Sequence, residues 1–101
     1  MGITKAPPGD RAPATELIAW NLRKFRVLAG LSQDALATAA DVDRTYIGRL
    51  ERSMENPSIA VLEKLANSCG IHVSSLVSIP DPLEPPTWPM RAGRKATPKS
   101  P

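Results

Sequence analysis

The chain of 101 residues contains little of what disulfide-stabilised, metal-binding and membrane-spanning proteins need. Its single cysteine, Cys69, excludes an internal disulfide, and with His72 as the only other soft ligand the sequence predicts no metal site. No run approaches the roughly 20 apolar residues of a membrane span, and no hydrophobic leader with a cleavage site is recognisable. We therefore expect a cytoplasmic protein that binds neither a metal nor a membrane.

Catalytic signatures are equally scarce. Apart from His72, no usual general base lies near a nucleophile, and the chain has no glycine-rich loop of the kind that cradles phosphates. Cys69 lies in an apolar helical pattern and is interpreted as a small core residue. The sequence predicts no enzyme, no cofactor and no small-molecule substrate.

Proline is abundant, but its 11 residues are concentrated at the two ends of the chain. The composition predicts a disordered N-terminal arm at 1–13, a folded domain at 14–79 and a Pro-rich basic tail at 80–101. The formal net charge of +3 belongs to the ends, because residues 14–79 carry seven basic and seven acidic side chains. Any binding of nucleic acid by the domain must therefore depend on where its arginines lie.

The most informative stretch is the segment 31–52, whose second half predicts a two-faced helix. Asp43 is a suitable N-cap, and a helix that begins at Arg44 turns Ile47 and Leu50 toward a core, with Val42 beside them. The opposite face and its flanks carry Arg44, Thr45, Tyr46, Gly48, Arg49 and Arg52. A helix of this length fits the major groove of DNA.

The residue types on that face suit DNA recognition. Arginine can pair bidentately with guanine or contact a phosphate. Gly48 costs roughly 1 kcal/mol of helix propensity relative to alanine, so its presence suggests that a ligand approaches the helix closely. The alternative, from this helix alone, is an ordinary solvated face whose arginines only maintain solubility.

Capping residues predict the remaining helices. Ser32 caps a helix at Gln33 to Ala40, and a tight connection then leads into the Arg44 helix, as in a helix-turn-helix. Thr15 is the expected cap of a first helix ending near Ala29, and Ser58 that of a helix at 59–69. A short last helix is expected near 73–77.

The apolar pattern predicts one core and one uncovered face. The expected core positions are Ile18, Leu22, Phe25, Ala29, Leu36, Ala37, Ala40, Ile47, Leu50, Ile59, Leu62, Leu65, Ala66, Cys69, Val73, Leu76 and Val77. The first helix has a second apolar set, Leu17, Trp20, Val27 and Leu28. Neighbouring helices or the terminal arm could cover this set, or it could form a dimer contact.

Taken together, these segments resemble the Cro/repressor-type helix-turn-helix family, also called the XRE family. The resemblance covers about 22–77 and is carried by Gly30-Leu31-Ser32-Gln33, Leu36-Ala37, Arg44-Thr45-Tyr46-Ile47, Leu50-Glu51-Arg52, Asn56-Pro57-Ser58, Leu62, Leu65-Ala66 and Gly70-Ile71. Within the family, the Arg44 and Asn56 segments look most like the small controller proteins of restriction-modification systems. Ser53 departs from the usual family pattern, which has glycine at this helix end.

The resemblance implies an all-α fold: a compact five-helix, phage-repressor-like domain. It also implies a structural ion pair between Arg26 and Glu51, and a dimer contact through the last helix. The expected function is that of a sequence-specific transcriptional regulator, a homodimer that binds double-stranded DNA at a (pseudo)palindromic operator through its third helix. A second hypothesis is a protein-interaction module of the same fold that bridges transcription components.

Each candidate residue receives an expected role in DNA binding. Arg44, Thr45 and Arg49 are the candidates for reading bases. Contacts with the DNA backbone are expected for Gln33, Tyr46, Arg52 and Asn56. Gln33 begins a helix, where free amides and the helix dipole favour phosphate.

Overall fold

The computed structural model describes residues 6–87 and contains four α-helices, with no strand in that part of the chain. They are α1 Ala14–Leu28, α2 Gln33–Ala40, α3 Arg44–Glu51 and α4 Ile59–Cys69, and a 3-10 helix follows at Val73–Val77. The all-helical prediction is confirmed, but the predicted count of five α-helices is wrong.

Two serines fix the starts of α2 and α4 as predicted. The Ser32 hydroxyl accepts a hydrogen bond from the Ala35 amide at 3.0 Å, and Ser58 does the same for Val61 at 3.1 Å. Each bond satisfies an amide that has no partner inside its helix.

The other two N-caps lack such a bond. Helix α1 has Pro13 rather than Thr15 at the N-cap position, and its side chain cannot cap an amide. The prediction of Thr15 was wrong because the fixed φ of a proline lets the helix begin directly after it. Asp43 does occupy the N-cap of α3, but its carboxylate accepts no capping bond.

The last helix, Val73–Val77, is short because the backbone is extended on both sides of it. His72 takes the N-cap position, where its Nδ1 accepts a hydrogen bond from the Ser74 amide at 3.1 Å. Six residues later the backbone becomes extended at Ser78, and Pro80 follows. Since a proline restricts the residue before it and has no amide to donate, the turn remains a single 3-10 segment.

The core lies between the four α-helices and the 3-10 helix. Leu22, Leu36, Ile47, Leu65 and Leu76 are fully buried in it. Truncating one such leucine or isoleucine to alanine typically costs about 2–5 kcal/mol.

Three predicted core positions lie outside this core. Ala29 is exposed, Ile59 is exposed over 69% of its surface, and Val77 is exposed as well. All three lie at the edges of their elements, where the helical pattern no longer points at a neighbour.

The connection between α2 and α3 is tight. Asp41 adopts the left-handed conformation (φ 59°), and the Val42 amide donates to the Ala37 carbonyl at 2.9 Å. Ala37 and Ala40 are buried, and these small side chains let α3 pack closely against α2. No described helix is long and apolar enough to cross a membrane.

The end of the domain and the first residues of the predicted tail both contact α1. The Asn21 amide donates to the carbonyls of Leu76 and Ser78 at 3.1 and 2.8 Å. Farther along, the Glu84 carboxylate accepts hydrogen bonds from Trp20 Nε1 and Lys24 Nζ at 2.6 and 2.8 Å. The tail segment, residues 80–87, therefore contacts Trp20 of the second apolar set of α1, while Leu28 stays 73% exposed. The four cations of the tail lie outside the described residues, and the domain boundaries remain predictions.

Candidate nucleic-acid interface

Helix α3 separates its apolar and polar residues as the sequence predicts. Ile47 and Leu50 are buried against the core, whereas Arg44 and Thr45 are exposed. Arg49 is half-buried, with 43% of its side-chain surface exposed. A polar edge of α3 is therefore open to solvent, which a helix that enters a DNA groove requires.

Each of the two base-reading arginine candidates faces an acidic side chain. Arg49 Nε donates to Glu55 Oε2 at 2.7 Å, and Arg44 Nε lies 3.8 Å from Asp34 Oδ1. The Arg44 pair is highly exposed on both sides, so it contributes little to stability. The sequence did not single out Asp34 or Glu55, because neither lies at a helical spacing from its arginine.

Tyr46 lies between the core and this surface. It is half-buried and packs against the core cluster. Partial burial raises the pKa of the Tyr46 hydroxyl, and the nearby negative charge of Glu55 raises this pKa further. The hydroxyl therefore stays protonated at neutral pH and can donate a hydrogen bond to a phosphate, the role that the sequence predicts.

Gln33, at the start of α2, is partly committed to the scaffold. It is half-buried, and its Nε2 donates to Glu51 Oε1 at 3.1 Å. This bond fixes the side chain beside α3, while the carboxamide oxygen lies near the position of Gly48. A phosphate contact by Gln33 remains a prediction.

Gly48 is not on the exposed face where the sequence placed it. The residue is buried, and a Cβ built on it would lie 3.5 Å from Arg52 Nη1 and 3.9 Å from Gln33 Oε1. The prediction that Gly48 is exposed was wrong because these two long side chains cover this side of α3. A contact of Gly48 with DNA stays a prediction, and it requires both side chains to move.

Arg52 and Asn56 lie just beyond α3. Both are exposed, Arg52 at the C-cap and Asn56 in the loop before α4. The loop begins at Ser53, whose φ of 62° is left-handed, which explains why glycine is the usual residue here. The contacts of Arg52 and Asn56 with the DNA backbone remain predictions.

A buried ion pair holds α3 against α1. Arg26 donates from Nε to Glu51 Oε2 at 2.6 Å and from Nη2 to Oε1 at 2.9 Å. Arg26 Nη1 also donates to the Leu31 carbonyl at 2.9 Å. The scaffold role that the family resemblance implies for this pair is confirmed in geometry, and neither residue is available to DNA.

Comparison with known proteins also indicates a helix-turn-helix domain. Residues 22–76 match the HTH_3 helix-turn-helix family. The chain is 36% identical over 63 residues to the control protein C.SmaI of Serratia marcescens, covering 62% of this chain and 75% of that protein.

Two solved protein structures also superpose on this chain. The crystal structure of a hypothetical transcription factor from Neisseria superposes with a TM-score of 0.71 at 32% identity, covering 78% of this chain and 90% of that one. The biofilm master regulator SinR, crystallised in complex with DNA, superposes with a TM-score of 0.58 at 32% identity. That match covers 60% of this chain and 98% of the crystallised SinR chain.

Proposed function

We propose that this chain, which belongs to the HTH_3 helix-turn-helix family, binds a (pseudo)palindromic operator as a homodimer with α3 in the major groove. The chain is a DNA-binding transcription regulator of the XRE type and not an enzyme. The operator symmetry, the homodimer and the individual contact residues are the parts that we add.

The exposed polar edge of α3 is the observation that carries the proposal. Arg44 and Thr45 are exposed on a helix whose Ile47 and Leu50 are anchored in the core, and Arg52 is exposed at its C-cap. A helix anchored in this way can carry its exposed side chains into a groove without unfolding. The likeness to SinR, which was crystallised in complex with DNA, supports DNA binding by this fold.

The proposed contacts fall into two classes. Arg44, Thr45 and Arg49 read base edges, because an arginine fork matches the acceptors of guanine and a threonine can contact several bases. The residues proposed for the phosphate backbone are Gln33, Tyr46, Arg52 and Asn56. Gly48 would allow close approach of the α3 backbone once the side chains above it move.

The charge balance of the domain limits non-specific binding. Residues 14–79 are formally neutral, so the attraction to phosphate depends on a few arginines rather than on a uniformly basic surface. A second copy of the domain doubles these contacts. Two half-sites spaced about one helical turn apart, about 34 Å, would then be read together.

Selection from random duplexes tests the proposal. The full chain is incubated with the pool at near-physiological salt, bound duplexes are sequenced, and the mass of the complex is measured. We expect a two-fold symmetric motif with half-sites about 10 base pairs apart and two chains per duplex.

Variants at exposed cations provide the control. Replacing Arg44 and Arg49 together by alanine should abolish the enriched motif, whereas Lys64→Ala, at an exposed position on α4, should leave it unchanged. No enrichment with the parent chain would contradict DNA reading by α3. An enriched single half-site with one chain bound would contradict the homodimer alone.

A further inference from the structure

Glu55 lies in the loop after α3 and reaches back to the helix. The chain reverses at Ser53 (φ 62°), and the Met54 amide donates to the Arg49 carbonyl at 2.9 Å. This turn brings the Glu55 carboxylate to Arg49, where Oε2 accepts a hydrogen bond from Nε at 2.7 Å. The backbone path of the loop thus creates a contact that helical spacing alone would not.

The bond to Glu55 leaves the base-reading atoms of Arg49 available. Its Nη1 and Nη2 groups make no hydrogen bond with any of the residues 6–87. These two groups form the fork that can donate to O6 and N7 of one guanine. Glu55 has only 28% of its side-chain surface exposed, so solvent screens this pair less than a fully exposed ion pair.

The same carboxylate is unfavourable for general attraction to DNA. It places a negative charge beside the candidate contacts Arg49 and Tyr46, where phosphates and base acceptors would approach. By contrast, the Asp34 carboxylate lies 3.8 Å from Arg44 with both side chains mostly exposed. Glu55 is therefore the acid that constrains a base-reading candidate.

We propose that Glu55 is a specificity-determining positioning residue, which holds Arg49 in place to read one guanine in each half-site. Its charge also lowers the affinity for duplexes in which Arg49 finds no guanine. This inference rests on the proposed function, since it assigns the role of Glu55 at the same interface. The partner that it selects is a guanine in duplex DNA.

The test compares specificity ratios rather than affinities alone. The guanine is first identified as the position whose preference disappears in Arg49→Ala. Affinities for the selected site and for a site altered at that position are then measured for the parent, Glu55→Ala and Glu55→Gln. We expect Glu55→Ala to bind the altered site more tightly than the parent does. The ratio of its affinity for the selected site to its affinity for the altered site should therefore fall about tenfold, with Glu55→Gln intermediate.

Two further variants separate positioning from net charge. Glu55→Ala added to Arg49→Ala should leave the ratio where Arg49→Ala puts it, because Glu55 acts through Arg49. Glu63→Ala removes the same charge from an exposed position on α4. It should at most raise the affinity for both sites equally and leave their ratio unchanged.

Three results would overturn the inference while leaving the proposed function intact. They are an unchanged ratio in Glu55→Ala, an equal loss of ratio in the Arg49→Ala background, and an equal loss in Glu63→Ala. A parent chain that enriches no site would instead contradict the proposed function itself, so the two failures are distinguishable.

Discussion

Arg26 and Glu51 form a fully hydrogen-bonded ion pair in the interior, with the side chain of each only 1% exposed. The pair connects α1 to the last residue of α3. Removing one partner of such a pair leaves an uncompensated buried charge, which typically costs about 3–5 kcal/mol. The orientation of α3 therefore depends on this contact.

We expect Glu51→Ala to lower the free energy of unfolding by about 3–5 kcal/mol, a large share of the stability of a small domain. The double variant Arg26→Met with Glu51→Leu should recover most of that loss, because both charges are removed together. Urea unfolding of the parent, Arg26→Met, Glu51→Leu and the double variant measures the coupling. Additive losses would show that the pair is not energetically coupled.

A second prediction concerns the left-handed residue after α3. Serine at a φ of 62° costs about 1–2 kcal/mol, which glycine avoids at an entropic cost of about 0.5–1 kcal/mol. Ser53→Gly should therefore raise the free energy of unfolding by about 0.5–1 kcal/mol. Gly70→Ala is the matched control, since Gly70 has a φ of 74° and open space around it, and it should destabilise. A lower free energy of unfolding in Ser53→Gly than in the parent would show that Ser53 is not strained.

The serine caps of α2 and α4 were predictable from the sequence because they act within a few residues. Ser32 and Ser58 each bond the amide three residues ahead, and α2 and α4 have the predicted bounds. The buried face of α3 was predictable as well, since the helical period alone brings Ile47 and Leu50 together.

Contacts set by long-range packing were not predictable. Glu84 lies 60 residues beyond Lys24, and Glu55 reaches Arg49 only because the loop turns at Ser53. The burial of Gly48 depends on where two long side chains rest, which no periodicity specifies. The sequence therefore indicated the exposed polar edge of α3 but missed the two acids beside its arginines.

Gly48→Ala separates folding from DNA contact. A Cβ at this position would meet Arg52 and Gln33 at 3.5 and 3.9 Å, which are ordinary contact distances. Because alanine favours a helix over glycine by about 1 kcal/mol, the variant should be at least as stable as the parent. If the α3 backbone approaches DNA closely, affinity for the selected site should nevertheless fall about tenfold, or about 1.4 kcal/mol. Unchanged affinity would remove Gly48 from the interface.

Arg44 and Arg52 should differ in the kind of binding that they support. Arg44→Ala should cost about 1–3 kcal/mol at one base position and relax the preference there. Arg52→Ala should weaken binding to all sequences alike and reduce the slope of log K against log salt by about 1. Titrations of matched and altered duplexes at several salt concentrations measure both effects. The reverse pattern would exchange the two roles.

The contact of Glu84 with α1 should make stability depend on pH. Burial would raise the pKa of Glu84, but hydrogen bonds from Lys24 and Trp20, the charge of Lys24 and a backbone hydrogen bond outweigh it and lower this pKa. A lowered pKa in the folded state means that the ionised carboxylate stabilises the fold above its unfolded pKa of about 4.3. This contribution is lost as the pH falls through the lowered value.

We therefore expect Glu84→Gln to be less stable than the parent at pH 7 and the difference to shrink as the pH falls below about 5. Urea unfolding at a series of pH values measures this, with Trp88 replaced by phenylalanine in both proteins so that fluorescence reports Trp20 alone. The Trp20 emission of the parent should shift in the same acidic range, because Nε1 loses its carboxylate partner, while that of Glu84→Gln should not. A stability difference that stays constant from pH 7 to pH 3 would show that the ionised form of Glu84 does not hold the tail segment on α1.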